Sequence, residues 1–188
     1  INFDHSDEDN GALTIELPVG FSSDEFGIIE FHVDAYSEEE YRADAGMVGL
    51  EMPSDMEVVG MVYDIQFETS DGEEIAETDK PVDLSFSYDS QSLAQKGISP
   101  LALKMYHWNT AGVWEAVEGS TVLPNENKVV ASVSEFSPYT LMGDYVCNDG
   151  LDNDGDGKID YPVDPGCSSL NDGSEVNVVV NNSVGVGG

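Results

Sequence analysis

Pro81-Val82-Asp83-Leu84-Ser85-Phe86-Ser87-Tyr88 places an apolar side chain at every second position, with Asp83, Ser85 and Ser87 between them. A period of two sends successive side chains to opposite faces of a pleated backbone, so this stretch predicts a strand with one buried face. The same alternation recurs on both sides. Upstream, Leu13, Ile15 and Leu17 alternate with Thr14 and Glu16 until Pro18 stops the run. Ile29, Phe31, Val33 and Ala35 alternate with Glu30, His32 and Asp34, and Val59, Met61, Tyr63, Ile65 and Phe67 form the longest such face. Downstream come Leu101, Leu103 and Met105, the Trp114 segment, Val129, Ala131 and Val133, and a last run from Tyr139 to Met142. Turn signals at Asp71-Gly72, Ala111-Gly112 and Pro124-Asn125 separate them. Seven or more short strands without β-α-β alternation predict an all-β fold, an antiparallel β-sandwich over residues 11–143.

Two short helices interrupt the pattern. Ser37 followed by Glu40 fits a capping box, with Gly46 as the C-cap, and Gln91–Lys96 predicts a helical turn ending at Gly97. Residues 1–10 read as an acidic, mobile lead-in, 144–175 as an acidic loop module, and 176–188 as a β-prone tail or linker.

The charge is far from balanced. Six Lys and Arg face 38 Asp and Glu, a net charge of −32, although 40% of the chain is apolar. So acidic a surface repels nucleic acid and anionic headgroups and attracts divalent cations. No run of about 20 apolar residues occurs, so neither a nucleic-acid partner nor membrane insertion is expected. Opening on Ile1, with no signal peptide visible, fits a processed chain or a segment of a longer one.

Cys147 and Cys167 are the two cysteines, and they flank the most acidic stretch. In a secreted chain such a pair reads as a disulfide, worth roughly 3 kcal/mol in the chain-entropy picture; the alternative is two buried thiols. Between them lies Asp152-Asn-Asp154-Gly-Asp156-Gly157-Lys158-Ile159-Asp160. Calcium takes about six to eight oxygen ligands, and a D-x-D-x-D-G stretch supplies them as the backbone curls around the ion. Gly157 permits the sharp turn, the Lys158 carbonyl points inward, Ile159 anchors the loop to apolar surface, and Asp160 binds directly or through water. An EF-hand would place a bidentate Glu where this chain has Val163; the next carboxylate is Asp164, between Pro162 and Pro165, and no amphipathic helices flank the loop. Nine acids against Lys158 alone lie between residues 144 and 175, strongly self-repulsive without a cation. Magnesium is disfavoured by its octahedral demand, and zinc by the lack of a nearby histidine.

Two resemblances add to this reading. The cysteine-bracketed loop resembles the aspartate-rich calcium repeats of thrombospondin type 3 modules and dockerins, and still more the DNDGDG-x-x-D-Y-P-x-D-P-G-C segments of secreted bacterial proteins. It covers residues 147–175 and implies Asp152, Asp154, Asp156, the Lys158 carbonyl and Asp160 as ligands of Ca2+, with Asp164 closing the shell. Asp149, Asp172 and Glu175 either complete that shell or form a second site. Residues 57–143 resemble a β-sandwich module of bacterial and archaeal surface proteins. The resemblance rests on Gly60-Met-Val-Tyr-Asp-Ile-Gln-Phe, Pro81–Tyr88, Leu103-Lys-Met-Tyr-His-Trp-Asn, Gly112-Val-Trp-Glu-Ala-Val and Val133-Ser-Glu-Phe-Ser-Pro-Tyr-Thr-Leu. It implies an extracellular or cell-surface structural role, with other copies of the chain or other surface proteins as partners.

Catalysis lacks recognisable parts. His5, His32 and His107 sit in no triad context, and no G-x-S-x-G or phosphate-binding glycine loop occurs, so the chain reads as a non-enzyme. Trp108 and Tyr106 offer an alternative, aromatic faces that stack on sugars in a carbohydrate-binding or adhesion module; the competing reading has Trp114 filling the core and Trp108 covering an edge. The stretch Glu175–Val180 reads as a strand in search of a sheet edge: its own sandwich, a neighbouring copy by strand exchange, or a linker. Asn181-Asn182-Ser183 fits the glycosylation sequon.

Overall fold

The Val82–Tyr88 alternation ends up in the middle of a five-stranded sheet. In the computed structural model, which describes residues 2–7, 11–19, 21, 29–43, 53 and 56–177, ten strands lie among the described residues. They are β1 (Asn2–Asp7), β2 (Gly11–Glu16), β3 (Ile29–Tyr36), β4 (Met56–Thr69), β5 (Glu77–Ser87), β6 (Lys104–Trp108), β7 (Trp114–Ala116), β8 (Thr121–Leu123), β9 (Lys128–Glu135) and β10 (Pro138–Asp144). One sheet has the order β1-β2-β5-β9-β8 and the other β3-β4-β10-β6-β7, every pairing antiparallel. The fold is an antiparallel β-sandwich, as the periodicity predicts, with a C-terminal loop bracketed by a disulfide, as the placing of the two cysteines predicts.

The inner faces are the ones the alternation marks. Leu13, Ile15, Val82, Leu84, Phe86, Val129, Ala131 and Val133 from the first sheet meet Val59, Met61, Tyr63, Ile65, Phe67, Met105, Tyr139 and Leu141 from the second. Tyr63 and Phe86 bridge the layers edge to face, ring centroids 5.3 Å apart. Burying each large side chain of this kind stabilises by about 1.5–3 kcal/mol. Across β4 and β10 the register shifts between Tyr139 and Leu141, and the Thr140 hydroxyl at that irregularity is wholly buried, donating to the Met61 carbonyl at 3.0 Å.

β4 is apolar on its outer face too, which single-face alternation did not anticipate. Val58 and Val62 are covered there by Tyr41 of α1 (Glu38–Ala43), with Tyr106, Trp114 and Met142 completing a second cluster. Ser37 and Glu40 do form the capping box: the Glu40 N–H donates to Ser37 Oγ, and the Ser37 N–H and hydroxyl donate to Glu40 Oε2. Those bonds hold the Glu40 carboxyl below its ordinary range, the Ser37 hydroxyl contributing most. Gly46 lies outside the described residues. The second helix, α2 (Ser90–Lys96), is capped by Asp89, which accepts from the Gln91 N–H at 2.8 Å, and ends at Gly97 with φ 72°.

Two expectations need correction. Asn2–Asp7, read as a mobile lead-in, is strand β1, paired along its length with β2. Edge pairing is made by backbone groups and needs no apolar face, so an acidic stretch can supply it. Leu101 belongs to no strand: Pro100–Ala102 is a 3-10 turn, Leu101 is exposed, and β6 starts only at Lys104. Pro100 fixes the φ of that turn's first position.

Candidate metal centre

β10 lies between β4 and β6 and runs directly into the acidic segment. A 3-10 turn at Val146–Asn148 begins it, pinned to the sandwich by the Val146 N–H donating to the Gly97 carbonyl at 3.0 Å and by an Ile98–Tyr145 bridge. Cys147 and Cys167 are disulfide-bonded, Cα atoms 5.7 Å apart, which closes the loop at its base.

Within the loop, aspartates take the place of secondary structure. Asp149 Oδ1 accepts from the Leu151 N–H, Asp152 Oδ1 and Oδ2 from the Gly155 and Gly157 N–H groups, Asp154 Oδ1 from Asp156, and Asp156 Oδ1 from Lys158, at distances from 2.8 to 3.1 Å. The short Asp side chain reaches backbone N–H groups a few residues on, so a run of alternate aspartates curls of its own accord. Gly157 sits at φ 87°, a left-handed conformation that side chains resist. The curl gathers Asp152, Asp154 and Asp156, exposed side chains whose carboxylate oxygens lie within 4.8 Å of one another.

Asp154 belongs to a second group. With Asp164 and Glu175 it forms another triad of oxygens within 4.8 Å, and Asp164 and Glu175 are each only 1% exposed. Glu175 holds the loop's shape: its Oε2 accepts from the Asn153 N–H at 2.5 Å and its Oε1 from the Asp160 N–H at 2.8 Å. Asp164 Oδ1 accepts from the Gly166 N–H at 2.6 Å, while its Oδ2 is buried without a hydrogen-bond partner. A buried carboxylate oxygen left without donor or cation is costly. An all-oxygen, multiply anionic donor set of this kind fits a hard divalent cation and suits neither zinc nor copper.

The remaining sequence-predicted residues are committed elsewhere. Asp160, at a left-handed φ of 54°, accepts from the Asp149 and Gly150 N–H groups at 3.1 and 3.0 Å and so ties the loop's start to its far side. Asp149 accepts from both its Leu151 N–H and the Asn153 amide, and burial pushes its carboxyl above the ordinary range, with Asp160 and Glu175 adding to the rise. Asp172 accepts from the Ser168 hydroxyl and N–H, which hold its carboxyl below the usual range, and this fixes a turn beyond Cys167. The Lys158 ammonium lies 3.5 Å from Asp156 Oδ2. Ile159 does not anchor the loop: it is 45% exposed, because the returning segment supplies the anchorage.

That returning segment is what the sequence signalled least. The Cys147 N–H donates to the Asp172 carbonyl at 3.1 Å, and the Ser174 carbonyl lies 3.4 Å from Cys147 Sγ. Gly166 leaves room for the Glu175 carbonyl, which any Cβ there would strike. Asn177 then donates to Asp156 Oδ2 at 3.0 Å. The DND pattern could have flagged Asn153; Glu175 stands among the acids that the sequence offers for the shell or a second site, and the structure brings it to Asp154 and Asp164.

Elsewhere, Tyr106 is buried in the outer cluster and offers no open ring face to a sugar, while half-buried Trp108 packs edge-on to Trp114 at 5.6 Å. His107 stacks on Tyr139 at 5.8 Å, and His32 lies exposed, 3.9 Å from Glu30. His5 falls in β1. Glu175, Val176 and Asn177, the start of the stretch read as a tail strand, lie in no strand, and residues 178–188, with the rest of that stretch and the sequon, lie outside the described residues. No helix among the described residues is long and apolar enough to cross a membrane. No protein-family model, curated protein or solved structure matches this chain.

Proposed function

We propose that this chain is a calcium-stabilised structural module of an extracellular or cell-surface assembly, and not an enzyme. The observation that carries the reading is the convergence of Asp152, Asp154 and Asp156 in a disulfide-closed loop whose one base is Lys158. Such a loop needs positive charge to hold its shape, and an oxygen-only donor set selects calcium from the cations available outside cells. A disulfide is at home in the same oxidising surroundings. The resemblance to thrombospondin type 3 and dockerin loops points the same way. Calcium at such a site is structural: extracellular modules bind it at about 10⁻⁴–10⁻³ M, where it is permanently abundant.

The test is thermal unfolding and light scattering in millimolar calcium and again after chelation. The reading expects a higher melting temperature with calcium. A calcium-dependent rise in mass identifies an assembly subunit; an unchanged monomer points to an adhesive module instead. No thermal response to chelation overturns the calcium assignment. The sugar-binding alternative is supported less, since of its two rings Tyr106 is buried and Trp108 is only partly exposed.

A further inference from the structure

The aspartate repeat and the buried triad differ in burial and in what builds them. Asp152, Asp154 and Asp156 are exposed and come from one curled stretch. Asp164 and Glu175 are buried and come from the far side of the loop and from the segment returning past Cys167. We propose that Asp154, Asp164 and Glu175 form an inner calcium site of their own, distinct from the exposed repeat and bridged to it by Asp154. This rests on the calcium reading above and goes beyond it, since the repeat alone would make a single-ion loop closed by Asp160 and Asp164.

Three observations carry it. Asp164 Oδ2 is buried with no hydrogen-bond partner, in a side chain whose other oxygen is already engaged by the Gly166 N–H. Among the described residues no Lys, Arg or His forms an ion pair with Asp154, Asp164 or Glu175. Yet carboxylate oxygens of all three lie within 4.8 Å of one another. Like charges at that separation, two of the carboxylates sealed from water, repel strongly in a low-dielectric surrounding. A divalent cation between them removes the repulsion and gives Asp164 Oδ2 its missing partner. Each Glu175 oxygen accepts one backbone N–H, which leaves a lone pair on each for the ion. Asp160, by contrast, stands in neither group, its carboxylate oxygens bonded to the Asp149 and Gly150 N–H groups.

The experiment is calcium titration of the disulfide-intact full chain by calorimetry and native mass spectrometry, with Glu175→Gln, Asp164→Asn and Asp156→Asn beside the wild type. The expected result is two ions on the wild type. Glu175→Gln and Asp164→Asn each lose one and keep the other, and Asp156→Asn keeps the ion that those two lose. Should Glu175→Gln retain the wild-type count and affinity while Asp156→Asn binds nothing, the inner site falls and the calcium reading stands. A wild type that binds no calcium overturns both. Should Glu175→Gln fail to fold, terbium luminescence lifetimes on the wild type in light and heavy water decide the matter. The inner site predicts a class of ion with markedly fewer coordinated waters than the exposed repeat allows, and a single, highly hydrated class overturns it.

Discussion

Gly97 and Gly173 meet backbone to backbone where the loop module sits on the sandwich. A Cβ on Gly173 would come within 2.5 Å of Gly97 Cα, closer than real contacts allow, and Gly97 is also the left-handed C-cap of α2. One glycine, Gly97, thus both ends a helix and meets the segment that delivers Glu175.

Gly173→Ala should therefore unseat that segment. Overpacking of this kind costs about 1–3 kcal/mol, and the loss should appear as a lower urea midpoint. The Ala variant should also bind calcium less tightly than the wild type, because Glu175 follows the displaced backbone. Unchanged stability and calcium affinity would show the contact to be slack.

Reduction of Cys147–Cys167 frees a closed loop and should lower the unfolding free energy by roughly 3 kcal/mol, measured by urea unfolding with and without reductant. Calcium should offset part of that loss, since an ion also ties the loop's two sides together. Reduction that leaves the midpoint in place would mean that the return segment alone holds the loop.

Asp34 and Asp64 stand directly opposite each other on β3 and β4. The Asp64 carboxyl is pushed above its ordinary range, chiefly by burial, with Asp34 and Glu74 adding to the rise and the Gln66 amide opposing it. A carboxyl raised in the folded state favours folding when protonated and opposes it when ionised, so its penalty appears as pH rises through the carboxylate range. Asp64→Asn should thus raise the melting temperature at pH 7, with the gain shrinking to nothing well below about pH 4. A gain independent of pH would assign the effect to packing.

Asp164→Asn should change sign with calcium. In chelator it removes a buried, unpartnered anionic oxygen and should leave stability equal or higher. In saturating calcium the inner ion adds linkage stabilisation to the wild type, about 2.7 kcal/mol at a hundredfold excess over its Kd, and the variant should forgo that share alone. Paired melts with and without calcium read this crossing directly; parallel curves would refute it.

The sandwich was legible because β-strands bury alternate residues, and Leu84, Phe86, Ile65 and Phe67 declare their face without help from the rest of the chain. What was not legible depends on something other than the alternation of apolar residues. β1 is fixed by backbone pairing, the outer face of β4 by the arrival of Tyr41, and the turn at Leu101 by Pro100. The aspartate repeat could be read locally because its curl is local, each carboxylate bonding the backbone a few residues on. Glu175 could be read as a candidate but not placed: its position is set by Gly97, Gly166 and Cys147, three sites brought together only when the loop folds back.

The disulfide at the base of the loop also decides where tension travels. A pull on the chain beyond Cys167 crosses the sulfur bridge to Cys147 and enters β10, the middle strand of its sheet, without passing through residues 148–166. Residues 148–166 are thereby a slack side-branch, while Glu175, beyond Cys167, stays on the path that bears load.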